Sequence, residues 1–315
     1  MMMIDKYILA ITPTPSIDRA VVIPGFQLGE IHRPERVLSL AGGKGLNVAR
    51  AIRRMGGSVM ACLLLAGYNG RWIAEQLDRE SIGYVAAWAE GETRISTSII
   101  DPTRAGLTEI YERGEPVTLK DWEGFERVVY ETLPSAVWAT FSGSLPLGAP
   151  TDGLSRLINM VRAAGISFAV DARGEFLKSA LSAHPMIVKI NASEAAEVLD
   201  RKVEDVEQAI EAADSLRGLG ADVSIITLGD QGAVAASKEG RWYGQAPLIQ
   251  AVAPVGSGDS FLGALVLALS RDATLPEALR QGIAAGAANA MTIGVAMIDQ
   301  ENVAKIVETV VIQAV

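Results

Sequence analysis

The chain has 315 residues, 49% hydrophobic and 21% charged, the composition of a globular protein with ample core material. No uninterrupted apolar run reaches the roughly 18 residues needed to cross a bilayer, and a net charge of −9 argues against nucleic-acid and anionic-membrane partners, which require clustered Lys and Arg. One cysteine, Cys62, excludes an intramolecular disulfide and, with a start too weakly basic for a signal peptide, sets the expectation of a cytoplasmic protein.

Short apolar runs alternate with helical patterns along the chain. Tyr7 to Ile11 precedes a helix opening near Gly45, Val59 to Leu65 precedes one over 71–80, and Val137 to Phe141 precedes one over 151–164. Ser167 to Val170, Met186 to Ile190 and Val223 to Leu228 continue the series, each followed by a turn or helix. The repetition predicts an α/β fold, a doubly wound, mostly parallel sheet with helices on both faces. Residues 17–40 and 91–113 break the rhythm with alternating patterns such as Arg94-Ile95-Ser96-Thr97-Ser98-Ile99-Ile100, which predict extra strands forming a lid. Three helices are expected at the end, over 258–270, 274–293 and 300–313. With no linker, repeat or low-complexity stretch, the expectation is one domain over 1–315 that carries its lid at 17–40 and 91–113.

The most informative stretch is Pro254-Val255-Gly256-Ser257-Gly258-Asp259-Ser260-Phe261, which leads directly into an apolar helix. Two glycines flanking one small residue let backbone N–H groups converge on an anion, and the helix adds its positive end. Asp259 then lies where it could take the proton of a hydroxyl that attacks a bound phosphoryl group. The same spelling would also serve a loop with Asp259 as a helix N-cap. Two other glycine motifs do not fit: position 261 is Phe where a dinucleotide fingerprint needs Gly, and Gly43-Lys44-Gly45 lacks the hydroxyl of a Walker A loop. His32 and His184 are the only histidines and no Cys/His cluster exists, which leaves a zinc site and a Ser-His-Asp engine unsupported.

Six separated motifs converge on one family. They are Thr12-Pro13-Thr14-Pro15-Ser16-Ile17-Asp18, Ala41-Gly42-Gly43-Lys44-Gly45-Leu46-Asn47-Val48-Ala49-Arg50, Ser142-Gly143-Ser144-Leu145-Pro146, Lys189-Ile190-Asn191-Ala192-Ser193-Glu194, Thr227-Leu228-Gly229-Asp230-Gln231-Gly232-Ala233 and the stretch from Pro254 to Gly263. In this order they resemble the ribokinase-like phosphofructokinase B carbohydrate kinases, and the spelling is most similar to the 1-phosphofructokinase and tagatose 6-phosphate kinase branch.

The resemblance implies an ATP- and magnesium-dependent phosphosugar kinase acting on a hydroxyl of a ketohexose phosphate. Asp259 would be the general base, with the N–H groups of Gly256, Ser257 and Gly258 stabilising the transferred charge. Asp18, Gly42, Gly43 and Asn47 would bind sugar hydroxyls. Lys189 and Asn191 would face the ATP phosphates, and Asn191 and Glu194 would order magnesium through its waters, although their spacing alone also fits a helix cap. Thr227, Gly229 and Gly232 would form the nucleotide loop. Gly286 would either border the adenine or serve tight helix packing. Lys44, Arg94, Arg33 and the Ser142 hydroxyl are candidates for the sugar phosphate, because cations and hydroxyls bind such oxygens. The family's Pro is Ile190 here, its first-strand Asn is Thr14, and a lid lysine of some phosphofructokinases aligns with Ile31. A homodimer through the lid is expected. Kinases of an unphosphorylated sugar or nucleoside, or a silent sugar or nucleotide sensor, would share these residues.

Overall fold

The computed structural model describes residues 6–104 and 107–315. In its first half the chain forms β1 (Tyr7–Thr12), β2 (Ser16–Val22), β3 (Arg36–Gly42), α1 (Lys44–Arg54), β4 (Val59–Ala66), α2 (Gly67–Arg79), β5 (Gly83–Ala89), β6 (Ile95–Ile100), β7 (Leu107–Tyr111) and α3 (Leu119–Thr132). There follow β8 (Ala136–Ser142), α4 (Gly153–Ala163), β9 (Ser167–Asp171), α5 (Gly174–Ser182), β10 (Ile187–Asn191), α6 (Ala192–Leu199), α7 (Val206–Gly218) and β11 (Val223–Thr227). The last segment holds β12 (Ala233–Ser237), β13 (Gly240–Gln245), α8 (Ser257–Leu269), α9 (Leu275–Ala290), α10 (Gln300–Val307) and β14 (Val311–Ala314).

Ten strands form one sheet in the order β14-β13-β12-β11-β10-β9-β8-β1-β4-β5, parallel from β5 to β11 and antiparallel beyond. β1 is short, continuous in apolar residues and buried along nearly its whole length, as a central parallel strand must be when both faces are covered. Its side chains alternate between two cores. Ile8 and Ala10 face the side covered by α1, α2, α8, α9 and α10, whereas Leu9 and Ile11 face α3 to α7. α8 is apolar around most of its circumference because residues 259–267 are all buried, packed against α9 on one side and α1 on another. Gly263 permits the α1 contact, since a Cβ there would come within 2.9 Å of Ala51 Cβ and of the Val48 carbonyl.

A second, four-stranded sheet has the order β3-β2-β6-β7. It occupies the two segments in which the sequence breaks its βα rhythm. Register sets Asp18 beside Leu40 and Ser96, and Ala20 beside Leu38 and Ser98, so that these six side chains share the face turned toward the large sheet. Val37 and Ile110 lie on the opposite face and are 53% and 56% exposed.

The chain's end departs from the expected third helix over 300–313. α10 stops at Val307, and Val311–Ala314 pairs with β13 instead, because the open edge of β13 offers backbone partners to an apolar, β-branched run. α9 likewise ends at Ala290 rather than 293. Among the described residues, no helix is long and apolar enough to cross a membrane.

Candidate active site

The parallel strands end on one edge of the sheet and deliver Ser142, Asp171, Asn191 and Thr227 to it, the edge at which open α/β sheets bind ligands. Between that edge, the small sheet and the N-terminus of α8 lies a cavity of about 860 Å³, large enough for two small ligands.

Asp259 lies on the cavity wall and is 7% exposed. It occupies the third position of α8, and the N-cap is Gly256, so Asp259 is not the cap that its spelling allowed. Gly256 has φ 79°, and a Cβ there would stand 2.2 Å from Val295 Cγ1. Only glycine fits both restrictions. A Cβ on Gly258 would stand 2.7 Å from Lys189 Nζ, which places that ammonium directly against the cradle. Asn47 Nδ2 donates to Asp259 Oδ2 at 2.8 Å. Burial pushes the Asp259 carboxyl up to about 6, with Asp171 adding to the rise; Lys44, the Asn47 hydrogen bond and Lys189 oppose it.

Asp171 is the last residue of β9 and is a functional candidate that the motifs do not contain. It is 1% exposed, and its two oxygens accept from Lys44 Nζ and Lys189 Nζ, each at 2.7 Å. Burial alone would raise its carboxyl; the two ammonium groups reverse that and hold it at about 2. Lys44 Nζ also lies 3.6 Å from Glu194 Oε1. Burial works against the Lys44 charge, but Asp171, Asp259 and Glu194 together raise its pKa above the ordinary lysine value. The structure sets Lys44 against Asp171 and Glu194 on the wall of the cavity that Arg94 also lines. A carboxylate at the C-terminal end of a parallel strand, as in Val170-Asp171-Ala172-Arg173, is the signal that could have found Asp171.

Asp18 is held from two sides. Ser16 Oγ donates to Oδ1 at 2.6 Å and the Gly43 N–H to Oδ2 at 3.2 Å. A Cβ on Gly42 would stand 2.1 Å from Asp18 Cγ, so the glycine pair makes room for the carboxylate. Arg94 lines the same end, with Nη1 donating to Glu112 O at 3.3 Å and Nη2 to Thr14 O at 3.5 Å, while its Nε is buried without a partner. Ser96, Ser98 and Tyr111 also border this part of the cavity.

Two candidates are not brought there. Arg33 is exposed on the connection between β2 and β3 and does not line the cavity, because the loop leaves the cleft-facing surface of the small sheet. The Ser142 hydroxyl is buried without a partner beside a small apolar pocket with Ile11, Phe141 and Leu157; its register with Asp171 gives it that residue's face, but it does not line the cleft, which Gly143 and Ser144 do.

At the opposite end, Asn191 caps α6 in a reciprocal box, its Oδ1 accepting from Glu194 N at 2.8 Å while Glu194 Oε2 accepts from Asn191 N at 3.0 Å. The cap reading therefore holds, and it leaves Glu194 Oε1 turned to the Lys44 side of the cavity. Thr227, Gly229, Gly232 and Gly286 all line this region. Gly232, at φ 103°, could carry no Cβ, which would meet Gly244 O at 2.0 Å. A Cβ on Gly286 would meet Ser257 O at 3.2 Å, so this residue serves close helix packing as well as the cavity wall.

A buried carboxylate beside two ammonium groups and a glycine cradle suits phosphoryl transfer, and the comparisons with known proteins give the class, a phosphotransferase with an alcohol acceptor, a carbohydrate kinase. The family model for pfkB family carbohydrate kinases matches residues 11–301. Tagatose-6-phosphate kinase of Staphylococcus epidermidis is 32% identical over 288 residues, covering 90% of this chain and 92% of that one. Phosphofructokinase-2 from Escherichia coli, in complex with substrates and products, superposes with a TM-score of 0.90 at 29% identity, over 97% of this chain and 99% of that one. A possible 1-phosphofructokinase from Thermotoga maritima gives a TM-score of 0.89 at 25% identity, over 98% and 99% of the two chains. The chain belongs to the pfkB family of carbohydrate kinases.

Proposed function

We propose that this protein is an ATP-dependent kinase of a ketohexose phosphate, with Asp259 as the general base. The observation that carries the reading is the setting of Asp259: buried, oriented by Asn47 and placed in the first turn of α8 beside the glycine cradle. A carboxyl raised to about 6 stays ionised near neutral pH, yet has more affinity for a proton than an ordinary aspartate.

In this reading Asp18 and the Gly42–Gly43 backbone hold the acceptor's hydroxyls, and Asp259 takes the proton of the attacking one. The Gly256, Ser257 and Gly258 N–H groups, with Lys44 and Lys189, stabilise the phosphoryl charge. Asp171 pairs with both ammonium groups and fixes them in place. Arg94 supports a phosphorylated acceptor, because its guanidinium lines the acceptor end and is held there by only two long hydrogen bonds, to Glu112 O and Thr14 O. The relatives agree in kind: one is a tagatose-6-phosphate kinase, and the Escherichia coli enzyme has been crystallised with fructose-6-phosphate. Thr227, Gly229, Gly232 and Gly286 would flank the nucleotide.

Among the described residues, no three His, Cys, Asp or Glu side chains converge tightly enough to hold a bare metal ion. Glu194 Oε1 instead suits a hydrated magnesium arriving with the nucleotide phosphates, which would neutralise their charge. The small sheet acts as a lid over the acceptor end and excludes water from it. Its exposed Val37 and Ile110, with Ile31 at 91% exposure on the neighbouring loop, provide the apolar face of a lid-to-lid homodimer.

The test is ADP release with Mg-ATP and a panel of tagatose 6-phosphate, fructose 1-phosphate, fructose 6-phosphate, free fructose, ribose and adenosine. Turnover confined to phosphosugars, abolished by Asp259→Asn, is the expected result. Turnover with free sugars or nucleosides alone would overturn the acceptor assignment, and silence with all six would overturn the kinase reading. Sedimentation of the wild type and of Val37→Asp distinguishes a lid dimer from a monomer.

A further inference from the structure

Arg50 is among the largest side chains wholly withdrawn from solvent, at 0% exposure, and it lines no part of the cavity. A buried guanidinium requires a counter-charge, which Glu80 at the end of α2 supplies through Nε to Oε2 at 2.5 Å and Nη2 to Oε1 at 3.0 Å. Glu80 alone would satisfy the charge. The remaining donors nevertheless reach three further acceptors, and each is adjacent to a functional part.

Nη1 points at Asn47 Oδ1, 3.4 Å away, and at Val295 O, 3.5 Å away; Nη2 donates to Ala41 O. Asn47 donates to Asp259, Val295 packs against Gly256 of the cradle, and Ala41 precedes the glycine pair that accommodates Asp18. Asn47 lies one helical turn before Arg50 on α1, which is why the two side chains meet.

The chemistry of that contact is one-sided. A carboxamide can present either its oxygen or its nitrogen, whereas a guanidinium offers only donors. Whichever atom of Asn47 faces Arg50 must therefore be the oxygen, which leaves Nδ2 facing Asp259. A flipped amide would set oxygen against the carboxylate and leave two donors confronting each other.

We propose that Arg50 is a positioning residue: it fixes the Asn47 carboxamide in the single orientation that donates to Asp259, and it ties this pair to the Ala41 and Val295 backbone. The proposal rests on the reading of Asp259 as the base. The other charged or titratable groups facing Asp259 are Lys44 on α1, Asp171 on β9, Lys189 on β10 and Tyr111 on β7, none of which touches Arg50. Losing the Asn47 donation removes an interaction that favours ionised Asp259. The base then stays protonated to a higher pH.

The experiment measures kcat/KM for the acceptor from about pH 5 to 9 in Arg50→Lys, Asn47→Ala and the double variant, with thermal melts confirming that each folds. Arg50→Lys keeps the charge opposite Glu80 but loses the fork that reaches Asn47. Its acid limb is expected at higher pH and its kcat reduced about tenfold or more, with KM for Mg-ATP changed less than about threefold. In the Asn47→Ala background the same substitution should leave the limb where it is. If Arg50→Lys does not fold, Glu80→Gln, which loosens the guanidinium from its outer end, should move the limb in the same direction. An unmoved limb in a folded Arg50→Lys, or an equal shift with and without Asn47, overturns the proposal. Asp259→Asn separates the two failures: residual turnover there would refute the base assignment, whereas an inert Asp259→Asn beside an unmoved Arg50→Lys limb would refute the positioning role alone.

Discussion

Lys189 Nζ and Asp171 Oδ2 stand 2.7 Å apart with both side chains sealed from solvent, at 4% and 1% exposure. A buried pair of this kind adds little stability compared with apolar packing, but removing one partner leaves an uncompensated charge. Its placement against Gly258 therefore points to a task in the cavity rather than to a structural brace.

Replacing Asp171 with Asn should make that task measurable. The carboxyl is held at about 2 against an ordinary 3.8, so its contribution to stability, about 2 kcal/mol, is present above the ordinary value and lost as pH falls toward 2. Urea unfolding of Asp171→Asn should show a loss of that size at neutral pH and a flatter acid dependence than wild type. A variant as stable as wild type at pH 7 would contradict the pairing.

Asp259 has the opposite linkage. Its folded value, about 6, lies above the ordinary 3.8, so the ionised form weakens the fold, and stability declines as pH rises through that interval. Asp259→Asn should abolish turnover while gaining roughly 2–3 kcal/mol at neutral pH, a gain that vanishes below about pH 4. In wild type, kcat/KM should fall on the acid side with a midpoint near 6. A melting temperature lowered by the substitution would refute the account of its burial.

Arg94→Ala removes the guanidinium that lines the proposed acceptor end. KM for the phosphosugar should rise by about tenfold to a hundredfold, the scale of a charge-assisted hydrogen bond, with KM for Mg-ATP little changed. An unaltered phosphosugar KM would place the phosphate elsewhere.

Gly258→Ala and Gly42→Ala test the two ends by sterics. The first drives a methyl group toward the movable end of Lys189, at 2.7 Å, and should preserve the fold while lowering kcat. The second pushes on the Asp18 carboxylate itself, at 2.1 Å, and should raise KM for the acceptor. Steady-state kinetics of both variants at matched melting temperatures decide the point.

The parallel strands could be read from the sequence because burial on both faces demands short continuous apolar runs, as in β1 and β4. β14 could not, since Val310-Val311-Ile312 fits a helix end equally well and only the neighbouring edge of β13 decides between them. The same limit applies to the site. Gly256, Gly258 and Asp259 are neighbours in sequence, so their chemistry is visible there; Asp171 pairs with lysines of α1 and β10, and Arg50 joins Asn47, on its own helix, to Ala41, Glu80 and Val295. Ser142 and Ser144 differ only in which way the backbone turns after β8, a matter that spacing does not encode.

Asn47 and Asp259 meet although they stand 212 positions apart in sequence. A chain emerging from the ribosome therefore completes most of its sheet before α8 exists, and the Asn47–Asp259 contact closes only when α8 docks on α1. Until then the growing chain lacks that contact, and on the proposed reading the competence to transfer a phosphoryl group arrives together with the finished fold.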